Sequence, residues 1–113
     1  MIKMRPNKVD TLELIRKEQR RRLGTFDFDG LVFQSDPASI AAMRARYDRM
    51  DNTSVANWLD ARHVTRALDR YAMGELIFQA SERNEFVFLA AGAMKVLVES
   101  GGYVDPTDDK NWS

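Results

Sequence analysis

The sequence predicts an α+β fold: two β-hairpins packed with two short helices and one long C-terminal helix. Three observations carry this. The stretch Thr25-Phe26-Asp27-Phe28-Asp29-Gly30-Leu31-Val32-Phe33-Gln34 alternates polar and apolar residues around an Asp-Gly pair. Helix-start chemistry occurs at Asp10 and again at Asp36-Pro37. From Met73 to Val98, apolar residues recur at alternating spacings of three and four. A chain of 113 residues supports one modest core. The expected organisation is a flexible lead over 1–9, a single domain over 10–99 and an irregular tail over 100–113.

Asp10-Thr11-Leu12-Glu13 is a capping box, in which each end satisfies a free amide at a helix start. The helix is expected to run to Leu23, with Gly24 as a left-handed C-terminal residue and Arg20, Arg21 and Arg22 suiting the dipole of its last turn. Asp29-Gly30 then suits a two-residue turn with both central residues at positive φ. That turn sets Phe28 opposite Leu31 and Phe26 opposite Phe33, all on one face. A lone hairpin is unstable in water, so this aromatic face must lie on a helix. Asp36 caps a second helix with Pro37 at its first position. Ile40, Met43, Tyr47 and Met50 form its apolar stripe.

Val55–Leu59 and His63–Leu68 read as a second hairpin around Asp60-Ala61-Arg62, since Trp58 and Val64 suit strands. A helix from Val55 onward competes, because Ala56, Leu59, Ala61 and Ala67 tolerate it. From Asp69 to Glu99 one long helix is expected. Met73, Ile77, Ala80, Asn84, Val87, Ala91, Met94 and Val98 form a heptad-like seam, and Leu76, Phe86, Phe88, Leu89 and Leu97 widen it. An apolar surface broader than one stripe implies burial on more than one side. Asn84, Val87, Phe88, Ala91, Met94 and Val98 are therefore the expected contact with another chain. The alternative is that the hairpin aromatics cover the helix completely.

Composition narrows the function classes. Seventeen Lys+Arg balance seventeen Asp+Glu, whereas domains that neutralise nucleic-acid phosphates are usually basic. With no cysteine, there is neither a disulfide framework nor a thiolate metal site. No apolar run approaches the roughly 20 residues of a membrane span, so the chain reads as soluble with no membrane partner. His63 is the lone histidine and lacks the partners of a triad or a zinc site. Asp105, Asp108 and Asp109 lack the spacing of a calcium loop. Asp27 and Asp29 are explained by the hairpin. No catalytic, cofactor-binding or metal-binding residue is expected, and the protein reads as no enzyme. The run Arg16 to Arg22 leaves a nucleic-acid-binding regulator as a disfavoured alternative.

The succession Arg-Arg-Leu-Gly, Phe-Asp-Phe-Asp-Gly-Leu-Val-Phe-Gln-Ser-Asp, an Ala/Ser helix, Trp58-x-Asp60-Ala61 and a terminal helix resembles a family of uncharacterised domains in tailed-bacteriophage tail proteins. Members are often encoded beside tail-fibre genes. The likeness covers Leu12 to Val98. It departs at Asp60-Ala61-Arg62-His63, where the family more often has an Asp-Asn turn. The resemblance implies a non-enzymatic tail component, made in the host cytoplasm and located in the virion tail, that binds other tail, fibre or baseplate proteins. A tail-fibre assembly chaperone, absent from the mature particle, is the alternative within the same family. Self-association into a homo-oligomer stays open.

Overall fold

The computed structural model of the chain describes residues 7–112. It has an α+β fold of three helices and two two-stranded antiparallel sheets. The order is α1 (Lys8–Gly24), β1 (Thr25–Phe28), β2 (Leu31–Gln34), α2 (Pro37–Tyr47), β3 (Val55–Leu59), β4 (Thr65–Asp69) and α3 (Arg70–Glu99), then a short 3-10 turn at Asp109–Trp112. By its contacts the chain divides into two compact units. One holds the residues up to Arg22 and those from Glu85 onward, and the other holds Leu23–Asn84.

In the second unit, the Asp-Gly turn decides the first hairpin. Asp29 and Gly30 have φ of 52° and 78°, the positive values a type I′ turn requires. Phe26 pairs with Phe33 and Phe28 with Leu31, as the alternation predicts. Phe28 and Phe33 are buried, their ring centroids 6.5 Å apart. Fully burying a phenylalanine such as Phe33 contributes about 2–3 kcal/mol. Phe26 and Leu31 pack against the same core at its edge. Asp36 caps α2, accepting from the Ser39 amide at 3.3 Å, and α2 buries Ile40 and Met43.

The second hairpin forms, and the competing helix does not. Its strands pair Ala56 with Leu68 and Trp58 with Arg66, so β4 begins at Thr65 and not at His63. Asp60 explains the shift. Its carboxylate accepts from the amides of Arg62 and Val64 at 2.8 and 3.0 Å and from Arg66 at 3.0 Å. Those bonds gather residues 60–64 into a wider loop in which His63 takes a left-handed φ of 64°. The amide of Ala61 donates to the Val32 carbonyl at 2.7 Å, joining the two hairpins. Met73, Leu76, Ile77 and Ala80 on α3 complete this core.

In the first unit, Asn7 rather than Asp10 starts α1. Its side-chain oxygen accepts from the Asp10 amide at 2.8 Å, so Lys8 and Val9 are helical and not part of the lead; residues 1–6 of that lead lie outside the described residues. Thr11 and Ile15 are buried on α1, and Val87, Ala91, Met94 and Val98 on α3. The end of α3 is a Schellman closure. Gly101, at φ 92°, donates to Val98, and Gly102 donates to Leu97 at 2.9 Å.

Gly24, in the second unit, is not at positive φ. Helix α1 therefore passes directly into β1, with the Ser35 amide bonded to the Gly24 carbonyl at 3.0 Å.

Candidate interaction surface

Helix α3 carries two apolar faces. At 3.6 residues per turn, residues three or four apart share a side. Val87, Ala91, Met94 and Val98 keep that spacing and are at most 5 % exposed. Phe86, Leu89, Ala93 and Val96 keep it too, on the opposite side, and all four are exposed. Phe88 and Leu97 flank this outer row, 50 % and 44 % exposed. Gly92 lies within it, and a Cβ built there would meet nothing within 4 Å.

The expected contact set is therefore redirected. Asn84, Val87, Ala91, Met94 and Val98 are buried within the chain, and of the six only Phe88 is exposed. The regular seam is taken up internally, because an intramolecular contact carries no association cost. Asn84 is committed within the chain. Its side-chain nitrogen donates to the Ser35 carbonyl at 2.8 Å, and its oxygen is buried without a partner. The signal for the outer face was the second row at 86, 89, 93 and 96. It interleaves with the first, and hydropathy alone does not say which row turns inward.

The basic run on α1 is largely committed. Arg16 pairs with Glu13, Arg21 with Glu18, and Arg22 with both Glu18 and Asp109. The Arg22 side chain is 8 % exposed, its guanidinium 5.1 Å from the centre of the Trp112 ring. The hydrogen bond from Arg21 holds the Glu18 carboxyl below its ordinary range, and that from Arg22 does the same for Asp109. Three of the five cations in the run are thus partnered within the chain.

The aspartates of the C-terminal segment shape turns. Asp105 accepts from the Thr107 amide at 3.0 Å and Asp108 from the Lys110 amide at 3.0 Å. Among the described residues no group of three or more His, Cys, Asp or Glu is placed to hold a metal ion, and no helix is long and apolar enough to cross a membrane. A shallow groove of about 300 Å³ lies between α2 and α3, lined by Arg44, Tyr47, Asp48, Gly74, Ile77, Phe78 and Ser81. Arg44 is tied across it to Ser81 at 3.0 Å, and Arg70 stacks at 4.3 Å on the Tyr47 ring.

The fold and this surface define a small α+β protein with an apolar helix face turned to solvent. No family model, curated protein or solved structure matches the chain.

Proposed function

We propose that the chain is a non-enzymatic component of a bacteriophage tail that binds other tail, fibre or baseplate proteins through the outer face of α3. The observation that carries the binding role is the exposure of Phe86, Phe88, Leu89, Val96 and Leu97 on one stretch of helix. A contiguous apolar patch of that kind on a small chain marks an interaction surface. The phage assignment comes from the sequence resemblance, whose most telling segment is Phe28 to Asp36, with its aromatic hairpin and Gln-Ser-Asp exit. Partnering of the arginines on α1 lowers the electrostatic footprint a nucleic-acid regulator needs.

Mass spectrometry of purified particles tests the reading. The chain is expected at a fixed ratio to a tail protein. Its absence from particles that still require it for fibre formation would make it an assembly chaperone instead. Its absence from particles that form normally without it removes the tail role.

A further inference from the structure

The outer row of α3 reads nearly the same in both directions. Large side chains (Phe86, Phe88, Leu89) lead to a small pair (Gly92, Ala93) and then to large ones again (Val96, Leu97). Reversing the helix superposes Phe88 on Leu97 and Leu89 on Val96, with Phe86 falling on Glu99, and leaves the small pair in the middle. We propose that this face pairs with the same face of a second copy, the two helices antiparallel about a two-fold axis at Gly92–Ala93. The inference rests on reading this surface as an interaction face. It is independent of the phage assignment.

Three features favour a second copy over an unlike partner. Between Phe86 and Leu97 the only charge is Lys95, which is half-buried at the margin, and the exposed carboxylates Glu85 and Glu99 lie at the two ends, so the middle of the face suits a partner that is equally uncharged. The open position at Gly92 lets two backbones approach at the axis, where a side chain would hold them apart. The exposed apolar side chains amount to roughly 500 Å² per copy, so a pair buries at most about 1,000 Å² in total, the low end for specific interfaces. That area favours a weak, reversible dimer, and a two-fold isologous pair is the commonest symmetry for one. Leu89 then lies opposite Val96 of the other copy, and the two Ala93 residues lie side by side.

The chain has no cysteine, so an introduced thiol is unique. Light scattering and sedimentation over a wide concentration range are expected to show mass rising from 13.0 kDa toward twice that value. Leu89→Lys and Val96→Lys, at exposed positions, are expected to keep the helical circular dichroism and to weaken the dimer at least tenfold. Ala93→Cys is expected to cross-link on oxidation. Phe86→Cys is not, because antiparallel helices separate the two copies of position 86 by about 20 Å along the axis, beyond disulfide reach.

A chain that stays monomeric throughout overturns the pairing, as does a dimer indifferent to Leu89→Lys. Efficient cross-linking through position 86 overturns the antiparallel arrangement. A monomer that is still found in particles leaves the proposed function standing without this inference. A dimer that is absent from particles supports the pairing and counts against the tail role.

Discussion

Asn84 donates to the backbone carbonyl of Ser35 at 2.8 Å, joining the middle of α3 to the exit of β2. Ser35 also donates, through its own hydroxyl, to the Leu23 carbonyl at 2.8 Å. The two residues thus fasten three elements of the second unit with two buried hydrogen bonds. Removing one partner of a buried bond costs more than the bond contributes net, since the other group is left desolvated.

Asn84→Leu is therefore expected to destabilise the chain by about 1–2 kcal/mol, read as a lower midpoint in urea. Asn84→Asp should cost about 2–4 kcal/mol at neutral pH, because it sets a buried carboxylate against a carbonyl. Burial raises the pKa of such a carboxyl, so the folded state prefers the protonated form. The cost of Asn84→Asp should shrink as pH falls toward 4, whereas that of Asn84→Leu should not. Equal costs at both pH values would refute this reading of the site.

The wild-type carboxylates run the other way. Asp60 is held below its ordinary range chiefly by the Val64 amide, with Arg66 and the Arg62 amide adding to it. Asp51 is lowered by the Thr53 hydroxyl, and Glu18 and Asp109 by their arginines. A depressed folded-state pKa means that the unfolded chain binds more protons between the two values. The stability these groups contribute is complete above about pH 5 and is lost as pH drops through roughly 4 and below. The thermal midpoint should fall between pH 5 and pH 2, and Asp60→Asn should flatten that dependence.

Trp112 is 2 % exposed and donates from its indole to the Pro106 carbonyl at 2.7 Å, with Arg22 over its ring. Trp112→Ala should cost about 3–5 kcal/mol, as for other buried tryptophans. Asp109 is 86 % exposed in its side chain, so Asp109→Asn should cost far less than Trp112→Ala. Chemical denaturation of the two variants side by side checks the ranking. A larger loss for Asp109→Asn would mean that the ion pair, and not the ring, anchors the segment.

Gly30 and Gly24 separate two uses of glycine. Gly30 sits at φ 78°, so Gly30→Ala should cost about 1 kcal/mol in a left-handed turn. Gly24 ends α1 at negative φ with open space around it. Gly24→Ala should be neutral or stabilising by up to about 1 kcal/mol. The thermal midpoint should fall for Gly30→Ala and hold or rise for Gly24→Ala.

How far the sequence could be read depended on how local each determinant was. The first hairpin was legible to the residue because Asp29-Gly30 fixes both turn and register. The cap at Asp36 was legible for the same reason, its carboxylate accepting from the Ser39 amide at 3.3 Å. The start of α1 was misread because Asn7 caps as well as Asp10 and lies three residues earlier. In the second hairpin β3 was legible at both ends, and only the ends of β4 were missed, because Asp60 gathers a wider loop than its neighbours suggest.

The candidate surface was legible only in outline. That α3 had more apolar surface than one stripe requires could be seen. Which row would be covered could not, because Val87 and Leu89 are equally apolar and only tertiary packing tells them apart. The contact of Arg22 with the Trp112 ring had no signal in local pattern, since it joins residues ninety positions apart.

The chain reversal at Gly101-Gly102 has a further consequence. A Cβ on Gly102 would come within 2.4 Å of a Leu97 methyl and 3.0 Å of the Leu97 carbonyl, so α3 has a fixed stop. Its outward row from Phe86 to Leu97 is consequently a ruler of set length, about 17 Å. Whatever lies against it must match that span, and a residue inserted between Leu89 and Val96 would throw one half of the ruler out of phase with the other.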